Sequence, residues 1–511
     1  MVDLTFPGSS LTGPADAEAA TQAANSDRIS ASARALRWAV PGVPALVALL
    51  VVLQGLDRRQ LWRDEIATWA TSTKSLSDLR ELVGGTDVVI APYYLLMHGW
   101  IALFGDSEVA LRAPSVLAVA LAAALTAVIG RRLFEPVTGL LAGVLVAVLP
   151  AMSRYGQEAR PYALATAATV LATLLLLGAA ERPSWARWLP YAVVVTVAGF
   201  LHLVTLLILL AHLGYVLSLR RAATTVRWFL AATVGVLPIL PLVVIGRSQA
   251  GQVSWIPEAT WDSTINQVAR VAGSVPVGAV LIGLALLGCW TLGRNGGLLG
   301  VWAVAPFAVL LLISPLVALL LHRYVLFTIP AWCLLAVATV ARHVQAISTV
   351  TAPAWRRHVI PAMLVVLCAA LGLPAQAENR TAVLASEPDL RGAVGVIVTE
   401  IGAGDRIAFH TRYPTRLRDG VNYYFHRAGR QSPPSVFTAW PGAAPSYPAS
   451  CRDATGCFAS AERLWLIGGP AGVDQGERMD PSLQKALNAR FELVRVVKLS
   501  GTSVSLLRST V

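Results

Sequence analysis

Long apolar runs fill the chain up to about residue 373, and short polar segments separate them. A helix needs about 20 apolar residues to cross roughly 30 Å of hydrocarbon, so each such run is long enough for one membrane span. We predict single transmembrane helices near 38–56, 109–130, 137–153, 161–180, 228–246, 275–292 and 357–373.

Two longer runs are each predicted to hold two spans. As one straight helix, residues 189–219 would be roughly 46 Å long at 1.5 Å per residue, which is too long for a single span. Arginines flank this run on both sides, and the positive-inside rule places both of its ends in the cytoplasm. Two short helices that turn near His202 satisfy both conditions. The run 298–341 splits in the same way at His322 and Arg323, which gives about eleven spans in all.

The composition supports a membrane protein. The chain of 511 residues is 55% hydrophobic and only 14% charged, which excludes an ordinary soluble globular protein. Its net charge of +12 does not indicate nucleic-acid binding, because the basic residues lie singly or in pairs between apolar runs. With the N-terminus in the cytoplasm, the arginines at 131–132, 182–187, 220–227, 294 and 342–357 fall in the predicted cytoplasmic loops, and an odd number of spans places the C-terminal segment outside.

Three regions follow from these patterns. Residues 1–36 are polar and lack apolar periodicity, so we predict a disordered cytoplasmic tail. Residues 37–373 form an all-α polytopic membrane domain, with outer loops at 57–108 and 153–160. Residues 374–511 combine a helical pattern with alternating apolar segments, which predicts a small extracytoplasmic α/β domain.

Two cysteines lie in a polar part of the C-terminal region. Cys451 and Cys457 occur in "SCRDATGCF", where an oxidising exterior favours a short disulfide loop. Two free thiols are the alternative. The other three cysteines, Cys289, Cys333 and Cys368, fall in predicted helices.

The first outer loop carries charge immediately after the first span. Its segment "LWRDE" contains Asp64 and Glu65, and the following residues show an amphipathic helical pattern that ends at Gly84. A second short apolar helix begins at Pro92 and includes His98. We expect both helices to lie in the membrane interface and to cover a cavity.

The next outer loop, "SRYGQEARPYA", places Arg154, Glu158 and Arg160 between two spans. Two loops therefore bring carboxylates to the same face of the membrane. The alternative for each acid is an interfacial ion pair that holds the loops together, worth about 0–1 kcal/mol when exposed.

Four motifs resemble the GT-C glycosyltransferases, specifically the bacterial branch related to protein O-mannosyltransferases and the lipid A aminoarabinose transferase. They are "LWRDE", "YYLLMHGWIALFGDSEVALRAPSVLA", "RYGQEARPYAL" and "HRYVLFTIPA". Together they cover roughly residues 38–342, and the C-terminal part matches only as an external α/β domain of the kind that many relatives carry.

This resemblance implies transfer of a sugar, with mannose or arabinose favoured, from a polyprenyl-phosphate carrier to an acceptor at the outer face of the membrane. The acceptor class stays open among glycolipid, polysaccharide and protein. A transporter or flippase of lipid-linked sugars is the alternative function, although transporters usually place ionisable groups near the bilayer midplane.

The resemblance also implies roles for the acids. Asp64 is expected to be the base that accepts the proton of the acceptor hydroxyl. Glu65 is expected to assist catalysis, by helping to hold either a metal or the loop. Glu158 either completes a site of oxygen ligands with Asp64 for Mg²⁺ or Mn²⁺, or orients the acceptor.

The donor phosphate requires positive charge. The resemblance implies that Arg323, together with His322, binds it, and the alternative is an arginine that extends to the lipid headgroups. Arg160, Tyr162 and His98 are further candidates for binding phosphate or sugar, and Arg160 is equally well explained as a partner of Glu158.

One position departs from the family pattern. Many relatives carry His-Pro-Pro or Lys-Pro-Pro where this chain has Val89, Ile90 and Ala91, and only Pro92 is retained. A donor-binding cation is therefore missing there, and either another residue replaces it or the donor differs.

Overall fold

The structure is a computed structural model. It describes residues 35–347, 355–384, 387–409, 414–436, 458, 461–468 and 481–510. The predicted tail at 1–36 lies almost wholly outside these residues, and so does the predicted Cys451–Cys457 disulfide.

Helices account for nearly all of the described membrane region. They are α1 (Ala35–Leu53), α2 (Arg63–Ser72), α3 (Leu76–Gly85), α4 (Ala91–Phe104), α5 (Glu108–Leu133), α6 (Pro136–Val148), α7 (Pro150–Gly156), α8 (Tyr162–Glu181), α9 (Trp185–Leu201), α10 (Ile208–Ser218), α11 (Ala222–Val236), α12 (Leu240–Ser248), α13 (Trp261–Arg270), α14 (Val275–Thr291), α15 (Gly293–Ile313), α16 (Ile329–Ile347) and α17 (Arg356–Glu378).

The described residues contain 7 helices long and apolar enough to cross a membrane, or up to 9 when each bent pair counts as one span. The sequence predicts about eleven spans, and the difference lies in α9 and the segment Leu203–Ser218, which are apolar but shorter. These two helices form the predicted pair that turns at His202, where α9 ends. The expected all-α polytopic domain is thereby confirmed.

The predicted cytoplasmic segments meet at one end of the bundle. Arg132 pairs with Glu181 across two loops, with nitrogen and oxygen 2.5 Å apart. Asn295 donates to the carbonyl of Leu133 at 2.7 Å. The two acid-bearing loops lie in contact with each other at the opposite end, as described below.

A broken helix sets the position of the second acid-bearing loop. Pro150 ends the predicted span 137–153 early, and α6 and α7 meet at an angle of 60°. The N–H of Ala151, which has no partner within the helix, donates to the carbonyl of Ala272 at 3.1 Å. Gly273 adopts φ +80 beside this contact, where an added Cβ would lie 2.4 Å from the Ala151 nitrogen. This close approach fixes the start of α7 and therefore the loop that follows it.

The C-terminal region forms a small α/β domain, as predicted. Its helices are α18 (Leu390–Glu400), α19 (Pro414–Arg427) and α20 (Pro481–Arg490). Its strands are β1 (Arg406–Phe409), β2 (Arg463–Ile467), β3 (Phe491–Leu499) and β4 (Thr502–Ser509). They form one sheet in the order β1-β2-β4-β3, in which β1 and β2 are parallel and the other pairs antiparallel.

This domain shares a hydrophobic core with the first loop. Leu61 and Ile66 of that loop cluster with Leu390 and Val421 of the C-terminal domain. The hydroxyl of Tyr424 also accepts a hydrogen bond from the Leu61 N–H at 2.8 Å. The C-terminal domain therefore packs directly on the loop that carries Asp64 and Glu65.

Candidate active site

Glu65 is an internal anchor of the first loop. Arg112 of α5 approaches its carboxylate with two nitrogens, Nε to Oε1 and Nη2 to Oε2, each at 2.8 Å. Neither side chain is exposed beyond 1%. The remaining Arg112 donors bind the carbonyls of Leu56, Arg59 and Gln60, so one guanidinium holds the backbone at the start of the loop.

Glu65 also ties the first loop to the second. Its Oε1 accepts from the N–H of Ala159 at 2.9 Å, and its Oε2 accepts from the N–H of Trp62 at 3.3 Å. Each oxygen thus accepts two hydrogen bonds, which fills the lone-pair positions of an ionised carboxylate. The sequence predicted Glu65 among the catalytic residues. These contacts fit the expected role of holding the loop, and a catalytic role for Glu65 stays a prediction.

Glu158 is the buried acid of the second loop. Its side chain is fully buried, and neither carboxylate oxygen has a hydrogen-bond partner among the described residues. Its nearest ionic neighbour is Arg154, with Nε 3.2 Å from Oε1. Burial raises the pKa of Glu158 to about 7, although the charges of Arg154 and Arg59 oppose this rise. The carboxyl group therefore changes protonation state near neutral pH.

Asp64 lies within electrostatic range of this acid and is more accessible. Its side chain is 21% exposed, and its ion-pair partner is Arg63, whose Nε lies 3.7 Å away. Thr68, one turn later in α2, donates to the carbonyl of Ala159 at 3.1 Å, so the two loops are in direct contact. The charge of Asp64 contributes to the raised pKa of Glu158. The structure therefore places the two predicted acids within electrostatic range of each other and leaves the Asp64 side chain partly exposed.

Guanidinium groups surround the two acids. Arg59 and Arg154 lie within electrostatic range of Glu158, and Arg160 and Arg323 lie within range of Asp64. The buried Nε–H groups of Arg59, Arg160 and Arg323 have no hydrogen-bond partner within the described ranges, and the same holds for Nη1 of Arg59, whereas Arg154 already faces Glu158. Because buried polar groups are nearly always paired, this concentration of unpaired donors is the expected form of a site for an anionic ligand.

Aromatic rings line the same region. The Arg323 guanidinium lies over Trp62, Trp255 and Tyr324, with distances of 5.8, 5.4 and 5.6 Å to the ring centroids. The Tyr162 ring packs between those of Tyr155 and Tyr324, at 5.6 and 6.1 Å. These planar walls restrict the side chain of Arg323 and suit the apolar faces of a sugar or an isoprenoid chain.

The predicted histidines have different surroundings. His322 contacts Gln267 through both its backbone N–H and its Nδ1. His98 lies on α4, and its Nδ1 is 2.9 Å from the carbonyl of Ser72, to which it donates. His98 therefore connects α4 to the end of α2, the helix that begins with Arg63 and Asp64.

Arg59 is the site residue that the sequence did not reveal. It is 2% exposed, and one of its Nη atoms donates to the carbonyl of Asn379 at the end of α17. In the sequence it is one of two adjacent arginines after the first span, where positive charge normally marks an interface rather than an interior. Its contact with Asn379 spans over 300 residues, so no local pattern could predict it.

The acidic side chains of this region do not form a metal site by themselves. Within the described residues no group of three or more His, Cys, Asp or Glu side chains lies close enough to hold a metal ion. Asp64 and Glu158 offer carboxylates, but Glu65 is occupied by Arg112, and Arg154 and Arg59 provide the positive charge at Glu158. Mg²⁺ or Mn²⁺ stays a prediction, and no step below depends on it.

Comparison with known proteins identifies the architecture. The crystal structure of ArnT from Cupriavidus metallidurans in the apo state matches with a TM-score of 0.56 at 14% identity, over 91% of this chain and 97% of that one. ArnT from the same organism bound to undecaprenyl phosphate matches with a TM-score of 0.57 at 15% identity, over 92% and 98%. The chain has the GT-C fold. The resemblance inferred from the sequence motifs is thereby confirmed.

A family model supports the same GT-C assignment over part of the chain. The model described as dolichyl-phosphate-mannose-protein mannosyltransferase matches residues 91–245. This range includes Glu158, Arg160 and Tyr162 but neither Asp64 nor Arg323. A sequence search of curated proteins finds no significant match.

Proposed function

We propose that this protein is an integral-membrane glycosyltransferase that moves a sugar from a polyprenyl-phosphate carrier to a cell-envelope acceptor at the outer face of the membrane. The observation that carries this proposal is the convergence of Asp64 and Glu158, from separate loops, beside arginines with unpaired N–H groups. The GT-C fold supplies the context, because one of the matching structures is ArnT bound to undecaprenyl phosphate.

The sugar in this proposal is mannose or arabinose. Mannose has the support of the family model, whose description names a dolichyl-phosphate-mannose donor. The acceptor is a glycolipid, a polysaccharide or a protein, and each of these classes presents a hydroxyl group to the site.

In the proposed reaction, Asp64 accepts the proton of the acceptor hydroxyl as that oxygen attacks the anomeric carbon of the sugar. The bond between the anomeric carbon and the phosphate oxygen breaks, and its electron pair leaves with the polyprenyl phosphate. Asp64 suits this role because its side chain is partly accessible and its ion-pair partner among the described residues is the half-exposed Arg63. No acid is needed for the leaving group, since phosphate is a stable anion.

The negative charge that develops on the phosphate requires fixed donors. Arg323 fits this need because aromatic rings restrict its guanidinium while Nε–H remains unpaired. Arg59 is a second candidate, and we propose that it replaces the cation that relatives carry at the position of Val89 to Ala91. Its buried Nε and Nη1 donors are available for this purpose.

Glu158 has a supporting role in this proposal. Its buried carboxyl has a pKa of about 7. When ionised it can accept a hydrogen bond from an acceptor hydroxyl, and when protonated it can donate one. Arg160 contacts the carbonyl of Asp64 at 3.4 Å and so links this loop to the base.

The test is a transfer assay with purified protein and radiolabelled polyprenyl-phosphate mannose and polyprenyl-phosphate arabinose, with membranes as acceptor and with or without EDTA. Transfer of label to the membranes supports the proposal, and its loss in EDTA alone would support the predicted metal. Movement of the labelled lipid between leaflets without transfer would support the flippase instead. No transfer of either sugar would contradict the proposed donors.

A further inference from the structure

His322 and Gln267 make two contacts that define the state of the imidazole. The backbone N–H of His322 donates to Gln267 Oε1 at 2.8 Å, and His322 Nδ1 lies 2.9 Å from the same oxygen. A backbone N–H can only donate, so the Gln267 atom facing it must be the amide oxygen. An amide oxygen cannot donate, and therefore Nδ1 carries the hydrogen. In the neutral imidazole, Nε2 is then an unprotonated acceptor.

The charged groups around His322 keep it neutral. Burial, together with the nearby charges of Arg323, Arg154 and Arg270, lowers the pKa of His322 to about 4. At pH 7 the side chain is therefore uncharged. A neutral ring supplies a hydrogen-bonding nitrogen rather than positive charge, and binding of the donor phosphate by Arg323 together with His322 stays a prediction.

The free nitrogen belongs to the same region as the two acids. The His322 ring lies 6.4 Å from the ring of Tyr155, which also packs against Tyr162, and the next residue in the chain is Arg323. No hydrogen bond to Nε2 forms within the part of the chain that the structure describes. Nε2 is therefore an oriented acceptor that stays available to a hydroxyl group of a substrate.

We propose that His322, fixed by Gln267, accepts a hydrogen bond at Nε2 from a substrate hydroxyl group, either on the donor sugar or on the acceptor. This inference rests on the proposed glycosyl transfer and assigns one of its binding contacts. Gln267 of α13 is then a positioning residue, because it selects the tautomer without touching substrate.

Two substitutions of His322 distinguish the contribution of Nε2 from that of the rest of the imidazole ring. In His322→Asn the amide can take the place of Nδ1 and keep the contact with Gln267, but nothing replaces Nε2. In His322→Gln the amide oxygen can reach the place of Nε2. We expect the Asn variant to lose about 10-fold or more in the affected step, since an unpaired hydroxyl is left in the site, and the Gln variant to recover part of that loss.

Binding and transfer distinguish the two sources of the hydroxyl. The probes are undecaprenyl phosphate and the undecaprenyl-phosphate sugar that the wild type transfers. If the sugar supplies the hydroxyl, His322→Asn weakens binding of the sugar-bearing lipid but not of bare undecaprenyl phosphate. If the acceptor supplies it, both lipids bind normally and the KM for acceptor rises. Equal weakening for both lipids, or no change in any measurement, would overturn the inference.

A third variant tests the tautomer directly. Gln267→Glu keeps an oxygen for both His322 donors, and its negative charge should raise the pKa of His322 and protonate Nε2 near neutral pH. We expect this variant to lose transfer at pH 6 and to regain it toward pH 9, whereas a profile identical to that of the wild type would contradict the role of Nε2. A wild type that transfers no sugar would refute the proposed function itself, which is a separate outcome.

Discussion

The Glu65 carboxylate and the Arg112 guanidinium form a buried pair joined by two hydrogen bonds of 2.8 Å. Arg112 lies in α5, and Glu65 precedes it by 47 residues in the loop that carries Asp64. The pair therefore fixes the loop to the membrane bundle, while the contact from Ala159 to Glu65 fixes the second loop to the first. Because the Glu65 carboxylate contacts both loops and the bundle, it fixes the position of Asp64 relative to Glu158.

Breaking this pair should destabilise the protein. In Glu65→Ala the Arg112 charge would remain buried without its partner, and such losses cost about 3–5 kcal/mol. We expect a lower melting temperature of the purified protein in detergent, together with lower transfer activity because Asp64 loses its fixed position. The measurement is thermal unfolding followed by tryptophan fluorescence.

An exposed ion pair gives the matched control. Arg132 and Glu181 also form a close pair, but the Glu181 side chain is 58% exposed. Glu181→Ala should change the stability by no more than about 1 kcal/mol, since solvent screens such pairs. Equal effects of the two substitutions would show that Glu65 does not hold the loop.

Asp64→Asn should separate catalysis from folding. The substitution removes the proton acceptor but keeps the shape of the side chain, and Asp64 makes no buried ion pair that would be lost. We expect an unchanged melting temperature and a loss of sugar transfer of at least 100-fold, within the usual range of general base catalysis. Asp78→Asn on the neighbouring helix α3 is the control, and it should keep full activity. Normal turnover by Asp64→Asn would exclude this residue as the base.

Much of the fold could be predicted from the sequence because the membrane imposes strong patterns. The lengths of the apolar runs and the flanking arginines predicted the helical segments, including the turn at His202. Length alone did not reveal the break at Pro150, because the span 137–153 continues apolar through it. Helix α19 was not predicted either, and part of its packing is against α2, which lies more than 300 residues earlier in the chain.

The candidate site was predictable only in part. Asp64, Glu158 and Arg323 stand out because charge is rare beside apolar runs, and the structure gathers them at one end of the bundle. The roles of Glu65 and Arg59 depend on partners far along the chain, Arg112 and Asn379, which no local pattern specifies.

The buried carboxyl of Glu158 should make stability depend on pH. Its pKa is raised from 4.5 to about 7 in the folded state, so between these values the folded protein holds a proton that the unfolded chain has lost. The contribution of Glu158 to the free energy of unfolding should therefore be greatest below about pH 4.5. It should fall as the pH rises to about 7. The full effect is on the order of 3 kcal/mol. Glu158→Gln should remove this component, and an unchanged pH dependence of the melting temperature in that variant would contradict the raised pKa.

Arg323 should determine affinity for the lipid phosphate. Its guanidinium is restricted by Trp255 and Tyr324 and keeps an unpaired buried Nε–H, so little ordering is needed when an anion binds. We expect Arg323→Ala to weaken binding of undecaprenyl phosphate by about 10-fold to 100-fold, and Arg323→Lys to restore only part of it, because lysine lacks the planar fork. Arg63→Ala is the control, since that side chain is 46% exposed and already faces Asp64. If Arg323 instead only reaches toward lipid headgroups, both alanine variants will bind undecaprenyl phosphate as the wild type does, and the phosphate must then be held by Arg59 or Arg160.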